Sequence, residues 1–240
     1  MNETIFYTLL GTLSGAIGTG LGGVFAICTN KKSNKFLSCI LELSAGLMLS
    51  VVFLDLLPNA FLRTDFITNI LGLLIGIFFM VLTKSVICDD NNSYQSIGMV
   101  LAVGIALHNL PEGLAIGVSL DADFSLGLSI ALAILLHDVP EGLAMSIPLK
   151  MANMHPIKIL CISIFAGLTT GLGGLIGVII GKISDNIIGL SLSIASGAMI
   201  YVIIMELIPK SKEIYKGKLS SEFNMLGIIL GVLVKTVLSG

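Results

Sequence analysis

Eight long apolar runs constrain the fold of this chain more than any other feature. A helix needs about 20 apolar residues to cross the hydrocarbon core of a bilayer, and the 240-residue chain has eight stretches near that length. Only 12% of its residues are charged, whereas soluble domains average about 25%. We therefore predict an all-α polytopic membrane protein with eight transmembrane helices: 5–28, 36–58, 66–86, 96–120, 125–149, 157–181, 187–209 and 223–239.

The basic residues predict how these spans are oriented. With the N-terminus outside, ten of the 13 Lys and Arg residues lie in inner loops, as the positive-inside rule requires. Arg63, Lys182 and Lys235 then remain outside. We expect a multi-pass protein of the cell membrane, in contact with the lipid bilayer, with both termini outside. The sequence leaves a homodimer open.

The net charge indicates which partners to exclude. At pH 7 the formal net charge is -2, and the basic residues form no continuous tract. A nucleic-acid partner is therefore not expected.

The first three spans resemble the last three. Residues 19–23 (TGLGG) recur at 170–174, an offset of 151 residues, and the same offset pairs Asp55 with Glu206. Because five spans separate the starts of the two copies, they cross the membrane in opposite directions, as in many secondary transporters. The alternative is a chance match within a Gly- and Leu-rich sequence.

This repeat predicts a 3+2+3 arrangement. We expect one transmembrane transporter domain over 1–240. Its inverted repeats, 1–86 and 157–240, flank a central metal-binding helix pair at 96–149.

Two related polar segments lie in the middle of spans 4 and 5. HNLPEGLA begins at His108 and HDVPEGLA at His137, each about twelve residues into its span, so both reach the same depth. An ionised carboxylate costs a few kcal/mol in hydrocarbon, yet these segments hold Glu112, Asp138 and Glu141. We predict that a divalent cation compensates this cost.

The spacing within each segment suits metal ligands. The His and the Glu are four residues apart, which places both on one helix face. Imidazole nitrogens and carboxylate oxygens suit Zn²⁺, Fe²⁺ and Mn²⁺, and two glutamates on facing helices can bridge two metals. A lone intramembrane histidine would more simply be a buried hydrogen-bonded side chain, but the duplicated motif favours a shared site. The predicted ligands are His108, Asn109, Glu112, His137, Asp138 and Glu141.

The segments HNLPEGLAIG and HDVPEGLAMS resemble the fourth and fifth helices of the ZIP (Zrt/Irt-like) divalent metal transporters, in particular their bacterial ZupT/GufA-like branch. The resemblance covers essentially the whole chain. It implies transport of Zn²⁺, and often of Fe²⁺, Mn²⁺ or Cd²⁺, toward the cytoplasm through a two-metal centre. By position, the two His–Glu pairs resemble the ligands of one site. Asn109, Asp138 and the bridging glutamates resemble those of the second.

The sequence departs from the family pattern on span 6. Members of this branch often carry a Glu where this chain has Thr170, a weak and neutral ligand, so the second site is expected to be weaker, completed by water or absent. Asp55 and Glu206 lie near the outer end of span 2 and the inner end of span 7. They would attract cations at the two mouths, or they are interfacial carboxylates that reach water.

The predicted function is therefore transport of divalent metal cations, most directly Zn²⁺. The alternative is an intramembrane zinc-dependent hydrolase. Such zinc peptidases use the string His-Glu-x-x-His, which is absent from this chain. We therefore expect a transporter and not an enzyme.

Overall fold

The described part of the protein consists of helices and their connections. The computed structural model describes residues 3–29, 33–86, 94–182 and 184–239, and within these ranges it contains no strand. The long helices are α1 (Glu3–Cys28), α2 (Asn34–Arg63), α3 (Phe66–Val86), α4 (Tyr94–Ala122), α5 (Phe124–Met151), α6 (Pro156–Gly181), α7 (Asp185–Ile214) and α8 (Lys218–Ser239).

Each predicted span lies within one of these helices. In the described ranges, all except α3 are long and apolar enough to cross a membrane, and α3 is apolar over Phe66–Leu82. Large apolar side chains also point outward, such as Phe78 (61% exposed) and Phe165 (69% exposed). The prediction of an all-α polytopic membrane protein is confirmed.

Two helices continue past their predicted ends because each contains a π-helical turn. These turns are Val52–Leu56 in α2 and Ile203–Leu207 in α7. In the first, the Leu57 N–H donates to the carbonyl five residues earlier. Pro58 therefore lies in the first turn of a new α-helical segment, where its missing N–H breaks no bond. We expected the spans to end near Pro58 and Pro209, but both helices run five residues further.

The helices pack in two groups that follow the 151-residue offset. In the first group, α1 packs against α5, and its repeat counterpart α6 packs against α4 in the same way. Helices α1 and α6 also contact each other. In the second group, α2 packs against α8, and its repeat counterpart α7 packs against α3. Contacts of α2 with α5 and of α7 with α4 join the groups. The π turns and the N-terminal caps of α2 and α7, Ser33 and Ser184, keep the same offset.

The glycine of each central motif allows two backbones to touch. A Cβ atom on Gly142 would lie 2.7 Å from the Cα of Thr19 on α1, and one on Gly113 would lie 2.7 Å from the carbonyl carbon of Thr170 on α6. Only glycine permits so close an approach, a common device in membrane helix packing. The motif glutamates immediately precede these glycines, so the same contacts fix their backbone.

Candidate metal centre

The histidines and glutamates of the two motifs lie together between α4 and α5. His108 is 2% exposed, and Glu112, His137 and Glu141 are each 0% exposed. The four-residue spacing places both side chains of a motif on one helix face, and the faces of α4 and α5 meet here. The structure thus brings together the two motifs that the sequence placed at one depth.

Each imidazole pairs with the carboxylate of the opposite helix. His108 Nε2 lies 2.7 Å from Glu141 Oε2, and His137 Nε2 lies 3.1 Å from Glu112 Oε1. These are reciprocal bonds across the α4–α5 contact. Neither histidine is bonded to the glutamate of its own motif.

One hydroxyl makes the two pairs unequal. Ser44 Oγ on α2 donates to Glu141 Oε1 at 3.1 Å. The residue 151 positions later, which would face Glu112, is Ala195, and Oε2 of Glu112 is buried without a hydrogen-bond partner. Glu141 is therefore held by two neighbours and Glu112 by one. The sequence analysis missed Ser44, because a serine in an apolar helix carries no signal of its own.

Several buried ligand atoms on one side of this cluster have no hydrogen-bond partner. They are Glu112 Oε2, His137 Nδ1 and both carboxylate oxygens of Asp138. In the described ranges, Glu112, His137 and Asp138 form a cluster whose ligand atoms all lie within 4.8 Å of one another. Buried polar groups are almost always paired, and an uncompensated buried carboxylate is very costly. A divalent cation that takes one ligand atom from each of these three residues would offset the cost of burying them.

Asn109 and Asp138 lean toward different neighbours. The Asn109 amide donates to the carbonyl of Ala166 on α6 at 3.1 Å, and its Oδ1 atom is buried without a partner. Asp138 packs on α1, where a Cβ on Gly18 would lie 2.5 Å from the Asp138 Cβ. Its Oδ1 lies 3.6 Å from His137 Nε2. Asp138 therefore joins the cluster around His137, while the Asn109 amide is bonded to α6.

Thr170 is fully buried at the contact between α6 and α1. A Cβ on Gly15 would lie 2.6 Å from the Thr170 Cβ, and Thr170 Oγ1 has no hydrogen-bond partner. The hydroxyl is thus a neutral oxygen that packs against α1 without a hydrogen-bond partner, and it is a weaker ligand for a cation than a carboxylate would be. It carries no charge to attract one.

Asp55 and Glu206, the predicted pathway carboxylates, each lie near a residue four positions before a motif histidine. Asp55, in the π turn of α2, lines a narrow cavity with Ala133 of α5, four residues before His137. Glu206, in the π turn of α7, lies beside Gly104 of α4, four residues before His108; its Oε2 is 3.7 Å from a Cβ built there. Asp55 is 3% exposed and bonded to Lys235. It is therefore not a carboxylate that simply reaches water.

Comparison with known proteins identifies relatives along the full chain. The profile of the ZIP Zinc transporter family matches residues 88–239. A zinc transporter ZupT from Streptococcus mutans is 30% identical over 262 residues, covering 99% of this chain and 98% of the relative. One from Chlorobium phaeovibrioides is 32% identical over 98% of this chain and 97% of its own length. A zinc transporter ZupT from Corynebacterium glutamicum is 30% identical over 94% of this chain and 95% of its own length.

Proposed function

Because the chain belongs to the ZIP zinc transporter family, we propose that it carries Zn²⁺ toward the cytoplasm through the site between α4 and α5. It is a multi-pass membrane protein that transports divalent metal, and it is not an enzyme. The alternative of a zinc-dependent hydrolase is thereby set aside.

One observation supports this route above all others. Glu112, His137 and Asp138 form a buried cluster in which one ligand atom from each residue lies within 4.8 Å of the others, and each of the three also has a buried polar atom without a hydrogen-bond partner. A purely structural core would satisfy such groups with hydrogen bonds. Leaving them unsatisfied at mid-depth suits a site that a cation occupies in transit.

We propose a binuclear-type centre at this place. The family resemblance assigns both His–Glu pairs to one position and Asp138 to the other, but Asp138 lies with Glu112 and His137, so we assign the first position to these three residues. The second draws on the remaining motif ligands, His108, Glu141 and Asn109, with the neutral Thr170 nearby. Because Thr170 supplies no charge, we expect the second position to bind metal more weakly. The glutamates lie between the two positions and bridge them.

The symmetry of the helices supports a two-sided path. The packing pairs, π turns and caps that share the 151-residue offset support inverted repeats at 1–86 and 157–240 around the central pair at 96–149. With the N-terminus outside, Asp55 is on the outer side of the centre and Glu206 on the inner side. A cation would pass these carboxylates in turn.

Direct uptake measurements test the route. We expect purified protein in liposomes to take up Zn²⁺, and Glu112→Gln, which keeps the side-chain shape but removes the charge, to abolish most uptake. The matched control is Glu213→Gln, since the Glu213 side chain is 67% exposed and pairs with Lys210 on its own helix. Normal uptake by Glu112→Gln would overturn the site assignment. Competition by Fe²⁺, Mn²⁺ and Cd²⁺ in the same assay tests the wider substrate range.

A further inference from the structure

The strongest unexplained feature outside the central site is an ion pair with a buried carboxylate. The side chain of Asp55 on α2 is 4% exposed, and Lys235 on α8 donates its ammonium group to Asp55 Oδ1. A lone carboxylate among apolar helices would be very costly. Lys235 therefore supplies the positive charge that this position requires.

The pair lies where a cation would approach the central site. It lines a cavity between α2, α5 and α8, together with Ser129, Ala133 and Leu136 of α5. Ala133 is four residues from His137, and one helical turn spans about 5.4 Å. The Asp55 carboxylate is therefore the negative charge next to the centre on this side.

The chemistry of lysine allows a metal ion to displace its ammonium group from the Asp55 carboxylate. Its ammonium group is a compact charge on a flexible stem, and the side chain is 28% exposed, so the head group has a way out of the cavity. An arginine would instead bind a carboxylate through two fixed bonds. A divalent cation carries twice the charge of the ammonium group and can replace it at the carboxylate, whereas a monovalent cation gains nothing by doing so.

We propose that Lys235 is a tethered cation that occupies the outer metal position at Asp55, so that a divalent metal enters only by displacing it. This inference rests on the proposed transport function. Lys235 would then set the external metal concentration needed for transport and would discriminate against monovalent ions. Asp55 is the group for which the two cations compete.

Initial rates of Zn²⁺ uptake into proteoliposomes test this competition. Lys235→Met removes the charge and keeps most of the stem. We expect the external Zn²⁺ concentration at half-saturation to fall roughly tenfold. This value follows if Lys235 leaves the Asp55 carboxylate accessible to metal for about a tenth of the time in the wild type. The matched control is Lys182→Met, which also removes one outer positive charge, from an exposed lysine bonded to Thr4. It should leave the half-saturating concentration unchanged.

The outcomes separate the two proposals. If the wild-type protein transports no Zn²⁺, the proposed function fails. If it does transport Zn²⁺ but Lys235→Met has an unchanged or higher half-saturating concentration, the pair is only structural and this inference fails alone.

A second pair of variants covers loss of folding. If Lys235→Met cannot be purified, we compare Asp55→Asn with Asp55→Asn/Lys235→Met, in which no buried carboxylate is left unpaired. The single variant keeps the ammonium charge beside the path, so the double variant should reach half-saturation at a lower Zn²⁺ concentration. Equal values refute the tethered-cation role.

Discussion

The contact between α4 and α6 gives a prediction whose size follows from the structure. A Cβ on Gly113 would lie 2.7 Å from the Thr170 carbonyl carbon and 2.8 Å from the Gly174 amide nitrogen. Ordinary contact begins near 3.4 Å, and backbone atoms of a helix cannot turn aside as a side chain can. The Thr170 carbonyl oxygen lies closer still to this Cβ position, so Gly113→Ala must push the helices apart by more than about 0.7 Å, a form of overpacking that typically costs about 1–3 kcal/mol.

The expected readout is a lower melting temperature. For a chain of this size, each kcal/mol shifts the midpoint by about 2–4 °C, so Gly113→Ala should melt roughly 2–12 °C below the wild type. Because the chain contains no tryptophan, melting is best followed by the circular dichroism of the helices in detergent. Uptake of Zn²⁺ should also fall, since Glu112 is the preceding residue.

A matched glycine on the same interface controls for helix propensity. A Cβ on Gly174 would lie 3.8 Å from the Gly113 carbonyl oxygen and 3.9 Å from the Gly11 Cα, which is ordinary van der Waals contact without overlap. Alanine gains about 1 kcal/mol over glycine in a helix, so Gly174→Ala should melt at or above the wild-type temperature. Equal melting temperatures for the two variants would refute the close α4–α6 contact.

Two further predictions concern single side chains. Ser44→Ala removes the hydroxyl bond that competes with a metal ion for Glu141 and should strengthen the binding of the second Zn²⁺, measured by titration, about 10–100-fold, the size expected for a hydrogen bond to a charged group. Ser196→Ala, whose hydroxyl bonds only its own helix, should bind as the wild type does, and equal binding by both variants would contradict this role of Ser44. Hydrogen bonds from the Thr68 hydroxyl, and from the backbone N–H groups of Thr68 and Ile67, lower the pKa of Asp65 at the start of α3. A lowered pKa stabilises the folded state above the unfolded value of about 3.9, so Asp65→Ala should lower the melting temperature at pH 7. The difference from wild type should close as the pH falls through the lowered folded value, and a difference that persists at pH 2 would contradict the assignment.

The spans were predictable because hydropathy depends on local sequence. The ends of α2 and α7 were not, since Pro58 and Pro209 normally stop a helix and a π turn before each one removes the conflict. No hydropathy pattern reveals an N–H that bonds five residues back. The predicted and observed helices therefore differ at these two ends.

The motif residues were predictable as a group, but their pairing was not. Spacing shows that His108 and Glu112 share a helix face, yet it cannot tell whether they bond each other or the facing helix. The structure joins His108 to Glu141 instead. Ser44 and the Asp55–Lys235 pair depend on contacts more than 90 residues apart in sequence, which a single sequence does not disclose.

The single hydroxyl of Ser44 has a consequence for the order in which metal ions load. In a centre with perfect two-fold symmetry, the two positions would have equal affinity. A first ion would then occupy each position with equal probability. A hydrogen bond to a charged group contributes about 1.5–3 kcal/mol, enough to bias two such states roughly 10- to 100-fold. Glu141 is already held by Ser44 and His108, so the first ion is directed toward the half around Glu112. The two positions are then filled in a fixed order, because α2 has a serine where α7 has an alanine at the equivalent position.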